Sequence, residues 1–256
     1  MSIATCTSLE LNPTLIELCR RDFPHWSKGV AGGLLCHGGD LSAERLLAAY
    51  ASGIFPWYNN PPILWWAPSP RCVLLLQDFH LPKRSLRYIK QKKFTLTINH
   101  DFAGVVEGCA GPRDGDPDTW ITPAIAAAYG TLHGLGYVHS IETWQDERLV
   151  GGLYGVGLGD AFFGESMFHI ESEASRFALF GLVQFLRQRG ALFCDCQQKT
   201  EHMLRAGATM VSGANFQKLL EQVGLGQKTR VTKLWEPWKT NYTWDSLSSS
   251  WRLKSK

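Results

Sequence analysis

Apolar residues follow two rhythms along the chain, one of helical spacing and one of solid or alternating runs, and the switches between them divide it into helices and strands. Leu46, Leu47, Ala49 and Tyr50 form one side of a helix over Ala43–Ser52, with Ser42 placed to cap it and Gly53 to stop it. A second helix follows Pro82, with Leu86 and Ile89 on one face. Thr122-Pro123 is an N-cap followed by proline at the first helical position, and Ile125, Ala128, Tyr129 and Leu132 continue at helical spacing. Ser172 is placed to cap a fourth helix, Glu173–Arg189, that Gly190 ends. Cys72–Leu76 and Phe94–Asn99 are strand-like. Tyr137–Trp144 and Leu149–Leu158 flank the polar turn Gln145-Asp146-Glu147-Arg148, and Ala161–Phe168 returns after Gly159-Asp160, so two hairpins form a meander. Ala191–Gln197 reads as a buried strand.

The 256 residues, 45% apolar and 19% charged, suffice for a well-buried core and two domains. Apolar runs such as Val73–Leu76 fall far short of the ~18 residues a membrane span requires, and Met1–Glu10 has neither a basic nor an apolar leader region. A soluble, unexported chain is expected. Seven scattered cysteines without a C-x-x-C pair read as reduced cytosolic thiols. Cys194 and Cys196 are assigned to core packing rather than metal binding, and no metal is expected.

The formal charge of +3 hides an asymmetry: Lys83, Arg84, Arg87, Lys90, Lys92 and Lys93 are six cations without an acidic residue from Phe79 to His100, so the rest nets −3, three less six. Such a run is either an ordinary solvated face or a polyanion-binding surface, for which RNA is the natural candidate. Phe55–Trp66 carries five aromatics in twelve residues with prolines between them and marks a domain junction. Those rings either plug an interdomain seam or stack on a base. The glycines from Gly151 to Gly159 lack the spacing of a nucleotide loop; in a strand they allow backbone or ligand to come close. They precede Phe162–Phe168, where Glu165 stands among aromatic and thioether neighbours and needs a partner, a protein Arg or Lys or a cationic substrate. Asp195 and Gln197, two apart on a strand, are placed on one face, as a core polar pair or as groups that orient an amine.

Taken together, the segments resemble the bacterial leucyl/phenylalanyl-tRNA–protein transferases. The matching stretches are Gly32-Gly33-Leu34-Leu35 through Gly38-Gly39-Asp40-Leu41-Ser42, Ala49-Tyr50, Gly53-Ile54-Phe55-Pro56-Trp57, Leu64-Trp65-Trp66-Ala67-Pro68, Thr119-Trp120-Ile121-Thr122, His139-Ser140-Ile141-Glu142, Gly151-Gly152-Leu153-Tyr154-Gly155-Val156, Gly164-Glu165-Ser166-Met167-Phe168 and Asp195-Cys196-Gln197. The resemblance spans residues 23 to 220 and rests on many motifs in one order. It implies an α+β protein with a small N-terminal domain (1–66) and a domain like the Gcn5-related N-acyltransferases (67–234); a Trp-rich tail (235–256) follows. It also implies transfer of Leu or Phe, with Met a further candidate, from Leu-tRNA or Phe-tRNA to proteins beginning with Arg or Lys, which marks them for N-end-rule degradation. A cytoplasmic monomer without cofactor is expected.

Carried over residue by residue, the resemblance makes Glu165, Asp195 and Gln197 the catalytic group, with Asp195 polarising Gln197 and the Gln197 carbonyl oxygen accepting a hydrogen bond from the attacking amine. Leu153 and Met167, near Phe162 and Phe163, are expected to line the amino-acid pocket, and Leu153 stands where relatives often have Met. Tyr50, Trp57 and Trp120 match positions associated with the terminal adenosine of the tRNA, and Tyr129 joins the substrate-binding set. The basic helix is expected to take tRNA phosphates. The acidic loop Arg113–Asp118 and the tail depart from the family pattern. A coenzyme A-dependent acetyltransferase is disfavoured because His169–Arg176, where its pyrophosphate loop belongs, contains no glycine. A noncatalytic RNA-binding module leaves Gly164–Phe168 and Asp195–Gln197 without a purpose, and peptidoglycan-branching aminoacyltransferases lack the Gly38–Ser42 block.

Overall fold

A computed structural model describes residues 11–92, 94–111, 119–229 and 235–238. Asn12 accepts hydrogen bonds from the backbone N–H groups of Thr14 and Leu15 and so caps α1 (Pro13–Asp22). The strand β1 (Leu34–His37) follows, then α2 (Ala43–Ala51), which starts after Ser42 and stops before Gly53 as its apolar spacing predicts, although the Ser42 side chain makes no capping hydrogen bond. Gly53 has φ +78°, and a Cβ there would fall 2.8 Å from the Phe216 ring. Only glycine turns the chain at this point. The aromatic stretch then supplies β2 (Phe55–Pro56) and β3 (Leu64–Trp66), which complete a three-stranded antiparallel sheet in the order β1-β3-β2.

The rest of the chain builds a larger sheet. In order come β4 (Arg71–Leu75), α3 (Lys83–Lys92), β5 (Thr95–Ile98), α4 (Phe102–Ala110) and α5 (Pro123–Gly134). The meander follows as β6 (Val138–Gln145), β7 (Arg148–Leu158) and β8 (Ala161–His169), then α6 (Ala174–Gln188), β9 (Phe193–Gln197), α7 (Glu201–Arg205), β10 (Thr209–Val211) and α8 (Gly213–Gln222). The seven strands lie in the order β10-β4-β9-β8-β7-β6-β5. Thr122 caps α5 by accepting from the Ile125 N–H, and Asp146 and Glu147 turn the first hairpin with positive φ at both positions. The start of α6 departs from expectation: Glu173, not Ser172, is the N-cap, in a left-handed conformation (φ 69°) with its carboxylate on Arg176. The chain there closes a tight turn, Ala174 N–H to Glu171 C=O, that brings Ser172 too early to cap.

Helices cover both faces of the sheet, so the expected α+β class is what the chain adopts. On one face α4, α5, α8 and the small sheet share a core in which Tyr50, Phe55 and Trp65 meet Val73, Tyr154 and Phe163. Most of the aromatic junction is therefore seam packing. On the other face α6 and α7 cover Cys72, Leu74, Leu153, Phe162 and Cys194. The neighbours β8 and β9 run parallel and are registered only at Ala161↔Phe193, Phe162↔Cys194 and Phe163↔Asp195. Beyond these residues the two strands part.

Candidate active site

Two one-residue bulges flank the point where β8 and β9 separate. Tyr154 pairs with Ser166 and its neighbour Gly155 with Gly164, which leaves Glu165 as the extra residue on β8. Likewise Cys72 pairs with Gln197 and Val73 with Asp195, which leaves Cys196 as the extra residue on β9. A bulge bends its strand and re-aims the side chains beside it. Across the gap Gln197 Nε2 donates to Glu165 Oε1 at 2.7 Å. The Tyr129 hydroxyl donates to Glu165 Oε2 at 2.9 Å, and the hydroxyls of Tyr129 and Tyr50 are hydrogen-bonded to each other.

On the other side Asp195 Oδ1 accepts from the Gln197 backbone N–H at 2.9 Å. Arg71 grips the same carboxylate with both prongs of its guanidinium, Nε to Oδ1 at 2.9 Å and Nη2 to Oδ2 at 2.7 Å, the fork geometry that gives the strongest ion pairs. Arg71 and Asp195 are both fully buried, and the guanidinium lies 4.7 Å from the Phe55 ring centre and 4.8 Å from that of Phe216. One chain of hydrogen bonds thus runs from Arg71 through Asp195, Gln197, Glu165 and Tyr129 to Tyr50. It corrects the expected link between Asp195 and the Gln197 amide: Asp195 is occupied by Arg71 and holds Gln197 by its main chain, at a left-handed φ of 59°. The Gln197 amide nitrogen is turned to Glu165, which leaves its carbonyl oxygen as the end able to accept from a ligand.

No cation pairs with Glu165 among the described residues. Burial drives its carboxyl up to about 8, against hydrogen bonds from Tyr50 and Tyr129; the Asp195 charge adds to the rise and Gln197 opposes it. Near neutral pH this carboxyl is therefore mostly protonated. Burial, and then the Glu165 charge, also push the Tyr50 and Tyr129 hydroxyls well above the usual phenol range.

A cavity of about 800 Å³ opens where the strands part. Leu153, Phe162, Met167, Phe168, Leu179 and Leu182 form its apolar walls, and Glu165, Asp195, Ser166, Thr200 and His202 its polar lining. Phe162 and Met167 stand five apart, an odd interval that would place them on opposite faces of a regular strand; the bulge at Glu165 brings both to the cavity. A Cβ on Gly155 would fall 2.7 Å from the Phe162 ring, so the glycine admits that ring. Gln197 is not itself among the lining residues; the arrangement can hold an apolar group with its polar head against Glu165, to which Gln197 is bonded.

Several expected residues lie elsewhere. Phe163 points away from the cavity and packs 5.5 Å from Tyr50, because adjacent strand residues face opposite ways. Tyr50 and Tyr129 are buried, with their hydroxyls in the relay, and present no open face for a base. Trp57 is 38% exposed beside Trp66, and Trp120 is half-buried; neither lines the cavity. Lys83, Arg84, Arg87 and Lys90 lie on α3, whose Ile89 packs in one cluster with Ala174 of α6. The Lys92 side chain, Lys93 and the acidic loop Arg113–Asp118 lie outside the described residues, as does the tail beyond Trp238. Cys72, Cys194 and Cys196 belong to the core under α6. The sequence reading missed Arg71, whose available signal was an arginine at the edge of a buried run, and His202, whose buried Nε2 has no hydrogen-bond partner among the described residues. Among those residues no group of three or more His, Cys, Asp or Glu is gathered for a metal, and no helix is long and apolar enough to cross a membrane.

The fold and site define an α+β protein with an apolar slot bordered by a buried carboxyl that is hydrogen-bonded to an amide. Residues 73–221 match the family described as leucyl/phenylalanyl-tRNA protein transferase, and residues 39–69 match the N-terminal domain of that family. The leucyl/phenylalanyl-tRNA–protein transferase of Lawsonia intracellularis is 53% identical over 196 residues, covering 76% of this chain and 86% of that protein. That of Pseudomonas aeruginosa is 45% identical over 204 residues, covering 78% and 90%. The crystal structure of FemX superposes with a TM-score of 0.45 at 11% identity, over 70% of this chain and 71% of that one. The chain belongs to the leucyl/phenylalanyl-tRNA protein transferase family.

Proposed function

We propose that the protein transfers Leu or Phe, with Met as a further donor, from aminoacyl-tRNA to the N-terminal Arg or Lys of acceptor proteins in the cytoplasm, which marks them for N-end-rule degradation. The observation that carries this reading is that Glu165, in the lining of a largely apolar cavity, is hydrogen-bonded to Gln197. The donor side chain enters the slot beside Leu153, Phe162 and Met167, and its ester carbonyl comes to lie at the gap between β8 and β9. The acceptor amine, held by the Gln197 carbonyl oxygen, attacks the ester carbon; the C–O bond to the ribose breaks, and the amine proton passes to the departing ribose oxygen. Glu165, once its carboxyl sheds its proton, is the partner for positive charge on the acceptor.

An α-amine with a pKa of about 7.7–8.0 becomes neutral near pH 7 at a cost of only about 1–1.4 kcal/mol. The donor ester is already activated, so placing the two groups in contact supplies much of the acceleration. The cations of α3 take tRNA phosphates, and Trp57 and Trp120, outside the cavity lining, stack on the terminal adenosine. The protein acts as a monomer, with residues 1–66 and 67–234 as its two domains.

The test is transfer of radiolabelled Phe from Phe-tRNA to a peptide beginning with Arg, with the N-acetylated peptide as control. Label in the free peptide alone is expected. Label in both, or in neither, contradicts the reading.

A further inference from the structure

The proposed chemistry leaves the Trp-rich tail unused, yet its described part is anchored on the catalytic sheet. Tyr137 donates to the Trp235 carbonyl at 2.7 Å, and the Trp238 backbone N–H donates to the Gly136 carbonyl at 3.2 Å. The Trp238 indole N–H donates to the Gly159 carbonyl at 3.1 Å, and the side chain is only 4% exposed. Its ring stacks on His139 at 5.3 Å and 13°, while the Arg189 guanidinium lies 4.5 Å from its centre. The strand makes room for it: a Cβ on Gly157 would fall 2.6 Å from the indole. A large aromatic held at its N–H, its backbone and its ring is a fixed part of the core, not a loosely laid tail.

Behind that fixed ring stands a wall of the slot. Phe162 lines the cavity on one side and packs against Trp238 on the other, with ring centres 6.2 Å apart. Phe185 of α6 braces the indole at 6.0 Å. Gly155 lies against the Phe162 ring and the residues of α6 close the outer side, so the indole occupies the space into which that ring would retreat. We propose that Trp238 sets the depth of the aminoacyl side-chain slot by holding Phe162 forward. It acts through Phe162, not by touching the donor, and is a positioning residue for donor specificity. The inference rests on the aminoacyl-transfer reading above.

Trp238→Ala and Trp238→Phe are compared with the unaltered protein for transfer of Phe, Leu and Trp from their tRNAs to one Arg peptide, with the melting temperature measured alongside. Pocket changes of about one methylene shift discrimination by roughly 10–200-fold. Trp238→Ala lets Phe162 retreat and is expected to raise kcat/KM for Trp-tRNA relative to Leu-tRNA by about tenfold or more, through KM for the donor. Trp238→Phe should give a smaller shift in the same direction. A uniform fall for all three donors, or an unchanged ratio in folded variants, overturns the inference. If Trp238→Ala does not fold, the ratio in Trp238→Phe decides in the same way. No transfer by the unaltered protein overturns the proposed function and this inference together, whereas normal transfer with fixed ratios overturns this inference alone.

Discussion

Removing Arg71 tests whether the relay is held from its buried end. Arg71 and Asp195 are both fully buried and meet through two hydrogen bonds, so Arg71→Met leaves a carboxylate with one remaining donor among the described residues, the Gln197 N–H. Breaking a buried pair from one side costs about 3–5 kcal/mol, against about 0–1 kcal/mol for an exposed pair. Loss of the contacts with Phe55 and Phe216 adds to the cost. A domain holds about 5–15 kcal/mol in total, so Arg71→Met should shift the urea unfolding midpoint, followed by far-UV circular dichroism, by a large fraction of its value. Asp195→Leu should be comparably damaging, and Arg71→Met/Asp195→Leu should cost less than the two together, because no charge is then buried alone. Arg71→Lys keeps the charge but lacks the two-pronged fork; it should lower kcat more than it raises KM for the donor, since Gln197 is misplaced while the apolar slot is intact. A loss under about 1 kcal/mol for Arg71→Met, or strict additivity in the double variant, would refute the account.

Glu165→Gln should change the pH dependence of both activity and stability. The folded carboxyl sits at about 8 rather than the ordinary 4.5, so its contribution to stability is present below the ordinary value and is lost as pH rises through the folded one. Urea stability of the unaltered protein should therefore fall more from about pH 5 to about pH 8.5 than that of Glu165→Gln. In the same range kcat/KM for the acceptor should climb more steeply in the unaltered protein, because its carboxyl must shed a proton to meet a cation; superimposable profiles would remove Glu165 from that role. For the basic helix, Lys83→Gln with Arg87→Gln should reduce the slope of log affinity for tRNA against log salt by about 1.5, with no effect on an aminoacylated nucleoside that lacks the tRNA body. An equal loss with the short donor would place those residues in the support of the fold instead.

What the sequence made legible, and what it did not, separates along a physical line. α2, α5 and the meander were readable because start, period and turn residues all fall within one element, as at Gly53 behind α2 or Thr122 with Pro123. α4 was hidden by its own composition: Gly104 and Gly108 interrupt the apolar period, and Gly108 is small because the Phe168 ring lies 2.6 Å from where its Cβ would be. Glu165 and Gln197 stood out chemically, but their juxtaposition depends on the two bulges, and a single unpaired residue leaves no trace in a hydrophobic pattern. Counting by twos along regular strands puts Phe162 and Met167 on opposite faces, and no rule of alternation turns the Gln197 amide towards Glu165. Arg71 was invisible for a different reason, since its partner lies 124 positions away and a lone charge at the edge of an apolar run reads as the end of the strand. Long-range pairing thus decided both omissions: the sequence names the reactive groups, while the sheet register, broken once on each side of the gap between β8 and β9, determines which of them meet.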